Sequence, residues 1–213
     1  MFSLSSFSDV LRSVSEGLRW PVIILLIILL AATVVLIGTI IAEVFTERRY
    51  LKADMPHMVD DIRDESKEIN QTIKEGNLLK RQKAALLELT RHSNLSSTMR
   101  ESLAIRLLSE EQAIYDRRVK VTDFIAKIGP MLGLLGTLIP LGPGIIALGQ
   151  GDTNTLSQSL LTAFDTTIAG LAAAAIALLI SSIRKTWYSN YMSVLETLME
   201  CVLEEENREE KDA

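Results

Sequence analysis

The stretch WPVIILLIILLAATVVLIGTIIA, residues 20–42, carries no charged side chain in 23 positions. At ~1.5 Å of rise per residue such a helix crosses a hydrocarbon core of ~30 Å. Further along the chain, residues 128–183 contain only Asp152 and Asp165 as charged groups. That is room for two more spans, separated by the polar Asp152-Thr153-Asn154. A mean hydropathy of +0.24 over the whole chain fits this reading and not a water-soluble globule. The expected fold is an all-α membrane protein with three transmembrane helices, a long helical cytoplasmic insertion and a cytoplasmic C-terminal helix.

The flanking charges set the expected topology. Arg48, Arg49 and Lys52 follow the first span, Arg117, Arg118, Lys120 and Lys127 precede the second, and Arg184 and Lys185 follow the third. Residues 150–158 hold no Lys or Arg, so the positive-inside rule places 43–122 and the tail in the cytoplasm and the N-terminus outside. Arg12 and Arg19 oppose that orientation only weakly. The expected segments are an amphipathic outer-surface helix at 1–19, spans at 20–42, 123–149 and 159–183, a cytoplasmic helical region at 43–122, an outer turn at 150–158, and an acidic helical tail at 184–213. An uncleaved first span is expected, because its apolar run is longer than a signal core.

Within 43–122 only Pro56 and Gly76 break helical patterning, and apolar positions such as Leu78, Leu86, Leu89, Ile105 and Leu108 recur at helical spacing. Both ends return to one membrane face, so reversals are expected at Gly76-Asn77 and at His92-Ser93-Asn94. Thr98 with Glu101 reads as a capping box restarting a helix. Cys201, alone, forms no intrachain disulfide or multi-thiolate metal site, and His57 and His92 are too few and too far apart for a histidine-based one. The tail carries eight acidic and four basic residues, which disfavours nucleic acid as a partner. No phosphate loop, nucleophile elbow or HExxH is present, so no enzymatic activity, metal or cofactor is expected.

The second span is rich in Gly129, Gly133, Gly136 and Pro130, Pro140, Pro143, and the third contains Gly170 and the alanines around Ala174. Small residues let membrane helices approach closely, so Gly133, Gly136, Gly170 and Ala174 are expected packing positions. Thr137 lies nine residues into its span and Thr167 about seven into the other, near mid-depth, where they can meet across a helix interface. Each threonine has an alternative reading as a hydroxyl bonded to its own helix one turn back. Asp165 lies near the outer end, suited either to an ion pathway or to a hydrated vestibule.

Two motifs carry a family resemblance. Residues 127–138, KIGPMLGLLGTL, resemble the "AP-LGLLGTV" segment of the MotA/TolQ/ExbB proton channel family, and residues 162–171, TAFDTTIAGL, resemble its "AL-TT--GL" segment. The resemblance covers about residues 75–190, with the remainder matching in topology only. It implies a homopentamer whose last two spans line a pore occupied by a single-span partner of the MotB/TolR/ExbD type. Translocated protons or sodium ions would pass an acidic residue on that partner and drive movement, as in a stator. Thr137 takes the place of the family's pore threonine and Thr167 that of the threonine three residues before its glycine, with Thr166, Asp165 and Thr162 beside them. Where ExbB-like members carry a glutamate, this chain has Thr162, and residues 138–144 replace the usual continuation, implying a kinked outer half. The rival reading is a non-conducting membrane scaffold tethering partners through 43–122 and the tail.

Overall fold

The computed structural model describes residues 4–47, 55–63 and 68–212. These form six helices: α1 Leu4–Glu47, α2 Met55–Arg63, α3 Ile69–Glu75, α4 Lys80–Thr90, α5 Ser97–Gly149 and α6 Thr153–Asp212. α1, α5 and α6 each contain a stretch long and apolar enough to cross a membrane. The fold is all-helical among the described residues, and the protein is a membrane protein. The basic cluster Arg48, Arg49 and Lys52 lies outside the described residues.

Several boundaries differ from the sequence expectation. α1 continues without interruption from Leu4 through Pro21, so the stretch read as a separate surface helix at 1–19 is joined to the span. α6 begins at Thr153, so the outer turn expected at 150–158 contracts to 150–152. α5 is unbroken through Pro130, Pro140 and Pro143. It starts at Ser97, with the Ser96 carbonyl accepting from the Met99 and Arg100 N–H groups, so Thr98 lies inside the first turn and is no cap. The reversals fall where the breakers stand, between α3 and α4 at 76–79 and between α4 and α5 at 91–96.

The turn joining α5 to α6 is closed by its own backbone. Gly151 adopts φ +78°, the left-handed conformation that glycine takes without strain. Its N–H reaches the Leu148 carbonyl at 3.1 Å and the Asp152 N–H reaches Ala147 at 2.9 Å, the double bond of a Schellman ending. Asp152 then caps α6, with Oδ1 accepting the Thr155 N–H at 3.1 Å. Bonds from the Thr155 hydroxyl and N–H hold the Asp152 carboxyl below its ordinary range.

The chain divides into two compact units. The first comprises the described parts of Met1–Thr39 and Lys120–Ser182. In it α1 buries one stripe, Val22, Leu26, Leu29, Thr33 and Leu36, at the three- and four-residue spacing of a single helix face. The opposite face exposes Ile24, Ile27, Ile28, Val34 and Val35, which suits lipid.

The second unit comprises the described parts of Ile40–Val119 and Ile183–Ala213. Its core joins Met58 and Ile62 of α2, Ile73 of α3, Leu86 and Leu89 of α4, Ala104 of α5, and Leu195, Leu198, Met199 and Val202 of α6. Buried Gln82 ties the layers, its amide donating to the Tyr191 carbonyl at 3.0 Å and its oxygen accepting the Leu79 N–H at 3.1 Å. The buried arginines of this unit, Arg184 and Arg100, are both paired. Glu43 takes a two-pronged contact from Arg184 at 3.1 and 3.2 Å and further bonds from Arg118 and the Tyr188 hydroxyl. Arg100, 2% exposed, donates to Glu206 at 3.2 Å and to Asn207 at 2.9 Å.

Candidate functional site: the α5–α6 seam

In the first unit α5 and α6 touch backbone to backbone. A Cβ added at Gly129 would stand 2.7 Å from the Gly170 carbonyl and 2.9 Å from the Ala174 methyl, and one added at Gly170 would stand 2.6 Å from the Gly129 carbonyl. Only hydrogen fits at either position. Gly133 faces the backbone of Thr166 and Thr167 at ordinary contact distance, and a Cβ at Gly136 would strike the Thr166 side chain. Closer to the turn, Gly144 faces Ser159. The glycines set one antiparallel register along the length of the seam.

The threonines sit on this register with their protons already engaged. Thr137 donates to the Leu134 carbonyl at 2.7 Å, Thr162 to Gln158 at 2.9 Å, and Thr166 to Thr162 and Ala163 at 2.9 and 3.0 Å. Each is bonded back to its own helix. Thr167 differs, because its hydroxyl crosses the seam to the Gly133 carbonyl at 3.3 Å. Thr137 lies one turn beyond Gly133 on α5, so Thr137 and Thr167 occupy neighbouring turns of one interface, with no hydrogen bond described between them. A hydroxyl that donates to a carbonyl keeps its oxygen lone pairs, so back-bonding leaves these groups able to accept from water or to face a cation.

Asp165 is exposed on α6, flanked by exposed Phe164 and Ile168, and takes no part in the seam. Thr162 and Thr166 instead line a small cavity with Gly136, Ile139 and Pro140 of α5 and Arg19, Val22 and Ile23 of α1. Arg19 was legible only as a charge at odds with the topology rule.

A second polar contact crosses the same seam and escaped the sequence reading. The Ser181 hydroxyl donates to Asp123 Oδ1. Ser181 is fully buried and Asp123 half-buried. The available signal was an acid seven residues before Pro130, on the edge of the apolar stretch. It was hidden by the basic residues around it, which read as a membrane-flanking cluster.

Comparison with known proteins bears on the stretch that builds this seam. Over 112 residues, 51% of this chain, the sequence is 32% identical to the "Biopolymer transport protein exbB1" of Vibrio cholerae, covering 49% of that protein. The chain thus matches about half the length of this curated relative. The family model for MotA/TolQ/ExbB matches residues 71–197, which takes in both reversals, the seam and its threonines Thr137, Thr162, Thr166 and Thr167. With more than half of its length matched, the chain belongs to the MotA/TolQ/ExbB proton channel family.

Proposed function

We propose that the chain is the multi-span subunit of an ion-driven, energy-transducing membrane complex. Five copies surround a single-span MotB/TolR/ExbD-like partner, and protons or sodium ions flow past the threonines to move that partner. The observation that carries this reading is the seam. It sets Thr137, Thr166 and Thr167 on neighbouring turns of a glycine-packed helix pair, with each hydroxyl proton engaged and each oxygen left as an acceptor. Oxygens that replace part of a cation's hydration shell suit transient binding, strong enough for entry and weak enough for exit. No covalent step is needed, and the complex requires no cofactor besides the translocated ion.

In this reading 43–122 and the tail face the cytoplasm of a bacterial-type cell membrane, with the N-terminus outside. An Asn154→Cys variant in a Cys201→Ala background should react with an impermeant maleimide from outside, and Ser109→Cys should not. The reverse pattern overturns the orientation. Cys201 itself is no reporter of sidedness, because it is buried in the second unit's core.

The scaffold alternative leans on the acidic tail as a free surface. Glu205 and Glu206 are buried, and Glu206 is committed to Arg100, so that surface is smaller than the composition suggests.

The test is ion uptake into proteoliposomes containing the complex purified from native membranes. Thr137→Val retains shape and removes only an exposed-side oxygen, so the complex should assemble. Losing a contact worth about 1–3 kcal/mol corresponds to roughly a 5- to 150-fold fall in flux. Thr167→Val also deletes the bond across the seam, so Thr167→Ser, which retains the oxygen, is the matched control and should conduct. Undiminished flux from Thr137→Val would remove it from the ion route. A wild-type complex that assembles and conducts nothing would overturn the function.

A further inference from the structure

We infer that Asp165 of α6 is the docking point for Arg19 of a second copy of the chain, so that neighbouring subunits are joined by a charge pair inside the membrane. The inference rests on the multi-copy assembly proposed above, but not on ion conduction.

Both charges lie in the first unit, in stretches apolar enough to cross a membrane. The small cavity fixes their depth. Arg19 lines it from α1 together with Thr162 and Thr166 of α6, and Asp165 stands between those two threonines in sequence, within one helical turn of each. The guanidinium and the carboxylate are therefore on one level. Within the chain they face different ways. At about 100° per residue, Asp165 is turned some 60° from Thr162 and about 100° from Thr166, off the side that meets the cavity. Among the described residues neither side chain has an ion pair or a hydrogen bond, and Glu16, a turn further out on α1, has a contact of its own.

The surroundings of Asp165 show what kind of surface suits it. It shares an exposed stripe of α6 with Leu161, Phe164 and Ile168. A carboxylate turned to lipid from such a stripe is costly, and charges inside membranes face protein or water and pair with one another. Three large apolar side chains are a poor lining for a water-filled route, and they suit a helix packed against protein. The matching cation is already in the molecule. Arg19 is exposed at the same depth on another helix, next to the exposed Trp20. Every copy thus offers one acid on one face and one base on another, at equal depth. A head-to-tail contact satisfies both, because the acid of each copy takes the base of the next, and a closed ring leaves no charge over.

The test starts from the complex purified from native membranes, in a Cys201→Ala background. Arg19→Cys combined with Asp165→Cys is treated with a short membrane-permeant bis-maleimide, whose arm makes up for the length that arginine loses. Covalent dimers and a ladder of higher multimers should form, and neither single cysteine variant should give them. Dimers from Asp165→Cys alone would place it facing its own copies across a central axis and overturn the inference. Consumption of both thiols without multimers would make the pair internal to one chain, and no reaction between them would separate the two sites; either result also overturns it. Charge is tested by reversal. Arg19→Asp and Asp165→Arg should each lower the yield of assembled complex tenfold or more, and the double variant should restore it to within twofold of wild type. A double variant as poor as the singles overturns the inference even with cross-linking, because proximity would then owe nothing to charge. A wild-type complex that contains several copies but fails these tests removes this inference alone. A wild type with one copy per particle removes the proposed assembly with it.

Discussion

The α5–α6 seam and the core of the second unit solve the same packing problem with opposite materials. The seam is built from glycine, alanine and hydroxyls, and its closest contacts are backbone against backbone. The second core is built from leucine, isoleucine and methionine, and its buried charges are matched by counter-charges. The difference follows from the solvent. Lipid tails are as apolar as leucine, so burying a leucine between membrane helices yields little, and close approach with its dispersion contacts decides. In water, burying a leucine side chain is worth about 1.5–3 kcal/mol, and large side chains decide. A change tolerated in one region should therefore be damaging in the other.

The largest effect is expected where the second core depends on charge. Glu206→Leu breaks the buried Arg100–Glu206 pair, and breaking a buried pair by removing one partner costs about 3–5 kcal/mol. Thermal unfolding should register it, and Arg100→Met combined with Glu206→Leu should recover most of the loss. If the single variant is as stable as wild type, this core is not governed by charge pairing. The seam offers the next effect. Gly170→Ala places a methyl against the Gly129 carbonyl, and overpacking of this kind costs about 1–3 kcal/mol. Gly142→Ala, with open space at its Cβ, should be neutral or slightly stabilising in the same assay. Equal behaviour of the two alanines would mean that close approach is not what holds α5 to α6.

The smallest effect belongs to the turn. Asp152→Ala removes the α6 cap and should lower stability modestly at neutral pH. Because the folded-state carboxyl titrates below its ordinary value of 3.8, its contribution is present above that value and fades as pH falls through the lower, folded one. The gap between wild type and Asp152→Ala should narrow in acid. A gap constant down to pH 2 would mean that the carboxylate's charge contributes nothing to the cap.

What the sequence made legible follows the same division. The three apolar stretches announce themselves because lipid tolerates so few charges, and the reversals near Gly76 and Asn94 stand out because glycine and short polar residues interrupt a helical pattern. Helix ends are not legible from the apolar stretches, because helices run past them, as at Thr153, and a membrane boundary is not a helix boundary. Glycines at the right spacing mark a close-packing helix, but they do not name the opposing residue. That Thr167 faces the Gly133 carbonyl while Thr137 bonds to its own helix is a matter of register, and register depends on tertiary packing. Asp123 was missed for a related reason. A carboxylate among lysines and arginines reads as solvated until its partner, Ser181, fifty-eight residues away in sequence, is seen to bury one side of it.

The short turn after Gly149 also bears on how the protein is made. A nascent α5 emerging alone would offer lipid a helix with three prolines, each depriving a carbonyl of its usual donor, and with the bare backbone of its glycines. Such a segment is a poor candidate for release from the insertion machinery by itself. α6 covers Gly129, Gly133, Gly136 and Gly144, and the turn between the two closes with bonds from its own three residues, so the pair can form as soon as the second arm is synthesised. The expected biosynthetic unit is thus the whole hairpin, with α5 retained at the translocon until α6 arrives to cover it.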